Sequence, residues 1–184
     1  MNDINKPLVS VRVLTYNSSE HIVETLDSVY QQTYRNIELV ISDDCSKDDT
    51  INICQKWLKS HKDRFANVVF LTSPVNTGVC ANSKRSMDAA TGDWIKGMGG
   101  DDLLTPNAIE EYLSFTVTNN CDICASRMSY IDENGNDLII KHGVTHENYM
   151  NYLKLPPPVS YGSASRRLSC LALSCSTPKE FYRQ

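Results

Sequence analysis

Short apolar runs alternate with amphipathic stretches over the first 140 residues of this 184-residue chain, and that alternation restricts the fold more than any other feature. Residues 8–15, LVSVRVLT, predict a strand by length and β-branching. Ser18 or Ser19 is placed to cap a helix in which Ile22, Val23, Leu26 and Val29 recur at helical spacing. Residues 37–42 predict the next strand, and Ser46 or Asp48 can start a helix carrying Ile51, Ile53, Cys54, Trp57 and Leu58. Residues 68–71 predict a third strand, 78–90 a third helix and 93–96 a short fourth strand. Pro106 can open a fourth helix through Ile109, Tyr112 and Leu113. Residues 122–131 read as a strand entering a hairpin turn at 132–136. Such alternation implies an α/β fold, a largely parallel sheet with helices on both faces.

Length allows one domain with a sizeable core and is short for two. Eighteen basic against 22 acidic residues leave a formal charge of −4, so no general basic surface exists to hold nucleic acid or anionic lipid. No apolar run approaches the ~18 residues of a membrane span, and residues 1–7 lack a signal-peptide core. Without such a leader, the sequon Asn17-Ser18-Ser19 would not meet the glycosylation machinery. The seven cysteines have no framework spacing, and free thiols are their default state. Cys121 and Cys124 form the one CxxC; zinc would need further ligands nearby, and a strand points i and i+3 to opposite faces. Both read as plain structural cysteines, and the four scattered histidines as surface or helix residues. Residues 156–184 break the pattern, with four of the seven prolines, six serines and a single acid, Glu180. One domain at 1–155 is therefore expected, followed by an atypical or poorly ordered tail at 156–184, as in a chain that ends early.

In an open α/β sheet, ligands bind beyond the carboxyl ends of the strands. Thr15-Tyr16-Asn17 follows the first predicted strand, Asp43-Asp44 the second, Asn76-Thr77-Gly78 the third and Gly99-Gly100-Asp101-Asp102 the fourth. Each cluster alone has a plain reading as a turn or cap, but all four converge on one edge. Half of the eight glycines fall between Gly92 and Gly100, directly before the paired aspartates. Glycine admits a ligand close to the backbone, and adjacent carboxylates can hold Mg²⁺ or Mn²⁺ together with substrate phosphates. The competing reading is a turn that caps the next helix, and it can hold for one of the two aspartates. No GxGxxG follows a strand and no P-loop pattern occurs, which argues against dinucleotide binding and P-loop chemistry.

The ordered series of short motifs resembles the family 2 glycosyltransferases. Residues 9–17, VSVRVLTYN, are similar to that family's opening VSVIIPTYN, with Arg12-Val13-Leu14 in place of the apolar-Pro stretch. Residues 26–34, LDSVYQQTY, resemble its LxSVLxQTY, and 41–48, ISDDCSKD, its IVDDGSTD. Asn76-Thr77-Gly78 resembles NxG, 90–95 resembles AxGEYI, and Gly99-Gly100-Asp101-Asp102 stands where the family carries DSDD. The match runs from about residue 8 to 140 in order and spacing.

The resemblance implies a GT-A (Rossmann-like), largely parallel mixed sheet and transfer of a sugar from a nucleotide-sugar donor, with inversion. The nucleoside pocket would be lined by Thr15, Tyr16 and Asn17. Asp44 would accept from the base edge, with Asp43 beside it and Asn76 and Gly78 nearby. Asp101 and Asp102 would hold Mg²⁺ or Mn²⁺. UDP is the favoured nucleotide, and the implied acceptor is a saccharide or lipid-linked molecule, as in bacterial surface polysaccharide synthesis. The implied location is cytoplasmic, with peripheral association at the inner membrane face open.

Three departures stand out. Gly99 replaces the first Asp of DSDD. Ala81-Asn82-Ser83-Lys84 replaces AARN, so Lys84 or Arg85 would have to substitute for the family arginine. No counterpart of the family's catalytic base follows residue 140, where Glu147 and Glu180 lie in the wrong context, so the catalytic residue is unknown. Two alternatives follow: a non-catalytic nucleotide-sugar-binding fragment, and a nucleotidyltransferase, which would need an arginine-bearing glycine loop after the first strand.

Overall fold

The computed structural model describes residues 6–126, 130–132, 137–138, 166–167 and 173–175. Strand β1 (Val9–Thr15) lies at the centre, paired in parallel with β2 (Ile37–Asp43) on one side and β4 (Trp94–Gly99) on the other. β3 (Asn67–Thr72) continues the parallel set beyond β2. Every residue of β2 is buried, as expected of a parallel strand covered on both faces. The register sets Thr15 against Asp43 and Leu14 against Gly99, so the loops leaving β1, β2 and β4 start at one level.

Four helices cover this sheet: α1 (Ile22–Tyr30), α2 (Thr50–His61), α3 (Val79–Ala89) and α4 (Ala108–Asn119). Val9, Val11 and Val13 of β1 and Ile37, Leu39 and Ile41 of β2 share one core with Ile22, Leu26 and Val29 of α1, Cys54 and Trp57 of α2, and Ile109 and Tyr112 of α4. Each fully buried aliphatic side chain there contributes about 1.5–3 kcal/mol. Helix α3 covers the opposite face, where Arg12 donates to the Ser83 carbonyl and the Ser86 hydroxyl, both at 2.8 Å.

The elements follow the expected order, with shifted ends. Helix α1 starts at Ile22, and its cap position His21 makes no side-chain capping bond; the Ser18 carbonyl instead accepts the His21 and Ile22 amides at 3.0 and 2.9 Å. Val23 faces outward, because Ile22, Thr25, Leu26 and Val29 take the buried stripe. Helix α2 begins one residue after Asp49, and Asp48 accepts the Thr50 amide at 3.1 Å. Pro106 stands one residue before the Asn107 cap of α4, outside the helix. The fourth strand runs on through Gly99, three residues beyond its expected end.

The region expected as one strand at 122–131 is two, β5 (Ile123–Cys124) and β6 (Tyr130–Ile131), and β6 pairs antiparallel with β7 (Asp137–Leu138). The turn residues 133–136 between them lie outside the described residues, as do Glu147 and Glu180. Within 156–184, β8 (Arg166–Arg167) pairs with β6, and β9 (Leu173–Cys175) lies antiparallel between β4 and β5. The main sheet therefore has the order β3-β2-β1-β4-β9-β5. Cys45, Cys54, Cys80, Cys121 and Cys124 are all free thiols.

Candidate functional site

The loops leaving β1 and β2 are laced together by side chains that the strand ends deliver to one level. Thr15 donates its hydroxyl to Asp43 at 2.8 Å, and Asp43 also accepts the Ser46 amide at 2.9 Å and the Ser46 hydroxyl. Ser46 Oγ accepts the Asn17 amide at 2.9 Å, and Asn17 Oδ1 accepts the Lys47 amide at 2.8 Å. Asn17 and Cys45 both sit in the left-handed region, with φ of 51° and 68°. That conformation costs a non-glycine residue roughly 1–2 kcal/mol, offset here by the hydrogen bonds it allows.

Asp44, 2% exposed, is the hub of a second cluster. Its carboxylate accepts the Thr77 amide (2.9 Å), the Thr77 hydroxyl (2.6 Å), the Gly78 amide (2.7 Å) and Arg85 Nη2 (2.9 Å). Burial pushes this carboxyl up, but the bonds from Thr77, Arg85 and Gly78 together outweigh it and hold it below the ordinary carboxylate range. Gly78 has φ +83° and ψ 162°, a conformation open essentially to glycine alone, and it starts α3. Asn76 Oδ1 accepts the Gly78 amide at 3.0 Å and completes the turn.

Beyond β4 the chain turns on itself: the Gly99 amide donates to Asp102 Oδ2 at 2.8 Å, and the Asp102 amide to the Gly99 carbonyl at 3.3 Å. A Cβ on Gly99 would lie 2.7 Å from Asp101 Oδ1 and 3.3 Å from Asp102 Oδ2, so both carboxylates fold over the bare glycine. Two hard oxygen donors side by side, with Asp101 exposed, fit a divalent cation completed by phosphate oxygens and water. Among the described residues no group of three acidic, histidine or cysteine side chains stands together.

A cavity of about 610 Å³ opens at this edge, and Tyr16, Asn17, Ser18, His21, Val79 and Asp101 line its mouth. Of the residues expected at the site, Tyr16, Asn17 and Asp101 therefore face one space. Thr15 and Asp43 form the buried layer beneath it, Asp44 holds Asn76-Thr77-Gly78 beside it, and Asp102 is engaged by the turn. Lys84 stands apart, paired with Asp88 at 2.7 Å on the exposed side of α3. Sequence leaves Lys84 and Arg85 open and reads His21 as a surface or helix residue, with no signal for its place at the cavity. Helical phase decides the first, because α3 buries Asn82 and Ser86 and so turns Arg85 inward and Lys84 out. Arg12 also lines the cavity, reached from mid-strand past Gly97.

Comparison with known proteins matches this arrangement to one group. The sequence family described as Glycosyl transferase family 2 covers residues 10–172. A Bacillus subtilis strain 168 glycosyltransferase provisionally named for teichuronic acid biosynthesis, TuaG, is 31% identical over 72% of this chain and 51% of its own. This chain spans between 38% and 58% of the first relatives it matches. Among solved structures, S. aureus TarS 1-349 in complex with UDP superposes with TM-score 0.57 at 26% identity, covering 63% of this chain and 34% of that one. The mannosyltransferase PcManGT from Pyrobaculum calidifontis, in complex with GDP-Man and Mn²⁺, superposes with TM-score 0.61 at 25% identity, covering 67% and 37%. With the parallel strands, the ordered motifs and the GT-A neighbours in agreement, the chain belongs to glycosyl transferase family 2.

Proposed function

We propose that this chain binds a nucleotide-sugar, UDP-linked in preference, and supports transfer of the sugar with inversion to a saccharide or lipid-linked acceptor. The observation that carries the reading is the convergence of Tyr16, Asn17 and Asp101, from the ends of β1 and β4, on one cavity. Tyr16, about half exposed, offers a ring face to a nucleobase, and the laced loop of Asn17 and Ser46 holds that ring's backbone in place. Asp44 reads the base edge by exchanging one of its four present donors for a base N–H, so its grip on the Thr77-Gly78 turn is coupled to nucleotide binding. Asp101, with Asp102 beside it, would hold Mg²⁺ or Mn²⁺, which when bound stabilises the negative charge that grows as a nucleoside diphosphate departs. The relatives named for teichuronic acid and colanic acid biosynthesis support a role in polysaccharide assembly.

Calorimetric titration of UDP with Mn²⁺ and with EDTA, repeated on Asp101→Ala, tests the reading. Metal-dependent binding that disappears in the variant is the expected result. Binding that ignores both metal and substitution would remove Asp101 from the site. Donor binding without release of free sugar or transfer would favour the second reading, a nucleotide-sugar-binding fragment.

A further inference from the structure

Chain enters the Asp101-Asp102 turn through Gly97 and Gly99 of β4 and Gly100 just beyond it, which carry no side chains to fix its direction. The anchoring comes from the other side. Gln32, fully buried one residue past the C-cap of α1, donates from Nε2 to the Ser28 carbonyl at 3.0 Å and to the Thr105 carbonyl at 2.7 Å. Its Oε1 accepts the Ile109 amide at 3.2 Å, one of the amides that the start of α4 leaves without a helical partner. Asn107, the local cap of α4, makes no side-chain capping bond, so the helix is capped from α1 instead. Ser28 Oγ accepts the Leu104 amide at 3.2 Å, and the Thr33 amide donates to the Pro106 carbonyl at 2.8 Å. Every backbone group from 104 to 106 named here is held by α1 or its C-terminal extension, and α1 is itself locked to the sheet through Ile22, Leu26 and Val29.

We propose that Gln32 and Ser28 are positioning residues for the metal turn, setting where Asp101 presents its carboxylate while touching neither metal nor donor. The inference rests on the donor-site reading above. It also gives the QT segment of residues 26–34 a role in the site rather than in the core alone.

The test compares Gln32→Met, which keeps the length of the side chain and removes its hydrogen bonds, with Glu38→Gln. Glu38 lies at the opposite end of the sheet, where it binds Ser10, Asn67 and Thr91, so its variant lowers stability without touching the turn. Mn²⁺ affinity in the presence of UDP, and UDP affinity in EDTA, are measured on each at a temperature where all are folded. Gln32→Met is expected to weaken Mn²⁺ binding about five- to tenfold, the worth of one or two hydrogen bonds, with UDP binding in EDTA within twofold of wild type. Glu38→Gln is expected to leave both unchanged. Equal Mn²⁺ affinity in Gln32→Met and Glu38→Gln, with wild type binding normally, overturns the positioning role alone. A wild-type protein that binds neither Mn²⁺ nor UDP overturns the site reading and this inference with it. If Gln32→Met does not fold, Ser28→Ala removes the bond to Leu104 together with a bond to the Thr25 carbonyl of its own helix, and a loss of about twofold to threefold in Mn²⁺ affinity is expected from it, with no loss overturning the proposal.

Discussion

Four donors converge on the buried carboxylate of Asp44, and Arg85 supplies the only positive charge among them. Asp44→Asn removes the charge and sets an amide N–H against donors, so it is expected to cost about 2–3 kcal/mol, read as a lower urea midpoint at pH 7. Acid adds a second readout. Asp44 and Asp48 both titrate lower in the folded protein than the ~3.9 of an unfolded aspartate, Asp48 at about 2. Their stabilisation is complete above about pH 4 and fades as pH falls toward 2, and the acid limb should flatten in Asp44→Asn. An unaltered acid limb would mean that Asp44 is not held ionised by its partners. Cys45 carries the opposite expectation: at φ 68° it pays a left-handed penalty where the family pattern has glycine, so Cys45→Gly should raise stability by about 1 kcal/mol. The paired aspartates stood out in sequence only through the ordered series of clusters that follow the strands, since each pair alone also reads as a turn or cap. Arg85 did not, since its direction depends on where α3 starts, and that is set by the Gly78 conformation.

At the level of elements, β1 and β2 were readable to within a residue because β-branched runs buried on both faces have one plausible geometry. β4 was under-read by three residues: Gly97 and Gly99 lower strand propensity, yet pairing to Arg12 and Leu14 of β1 carries the strand through them. The AxG motif before β4 proves to be structural. A Cβ on Gly92 would fall 2.6 Å from the Ser10 amide nitrogen and 2.8 Å from the Leu8 carbonyl oxygen, both backbone atoms that cannot swing aside. Gly92→Ala should therefore cost about 2–3 kcal/mol by forcing β1 and β4 apart, while Gly78→Ala, with open space around it, should cost only the strain of its backbone, about 1–3 kcal/mol. Thermal melts distinguish the mechanisms when each is paired with Ser10→Gly: removing the Ser10 hydroxyl leaves the backbone clash, so Gly92→Ala should not be rescued. Rescue would show that the contact with Ser10 Oγ, also at 2.6 Å, was the obstacle.

Across the whole molecule, the sheet joins a locally determined part to one that only long-range pairing can specify. Strands β1 to β4 arise from consecutive strand–helix units, whereas β9 reaches the sheet from more than 70 residues beyond β4 and is three residues long. Nothing in its composition announces a strand, which is why residues 156–184 read as an atypical tail; the signal lies in the exposed edge of β4 that needs a partner. Pairing Trp94, Ile95 and Lys96 with Cys175, Ser174 and Leu173 covers that edge and links it to β5. A chain shortened to residues 1–155 would bare the backbone donors and acceptors of β4 beside a buried core, the kind of edge that templates association. Its urea midpoint is expected to fall by the equivalent of about 1–3 kcal/mol, and light scattering should show species larger than the full chain forms at equal concentration. The loops of β1 and β2 proposed to bind the donor lie two and three strands away from β9, so UDP affinity per folded molecule should change less than twofold. An unchanged midpoint and a monodisperse short chain would make 156–184 a true tail, with β9 a bystander at the edge. A midpoint loss accompanied by lost UDP binding would instead extend the donor-binding unit to the end of β9.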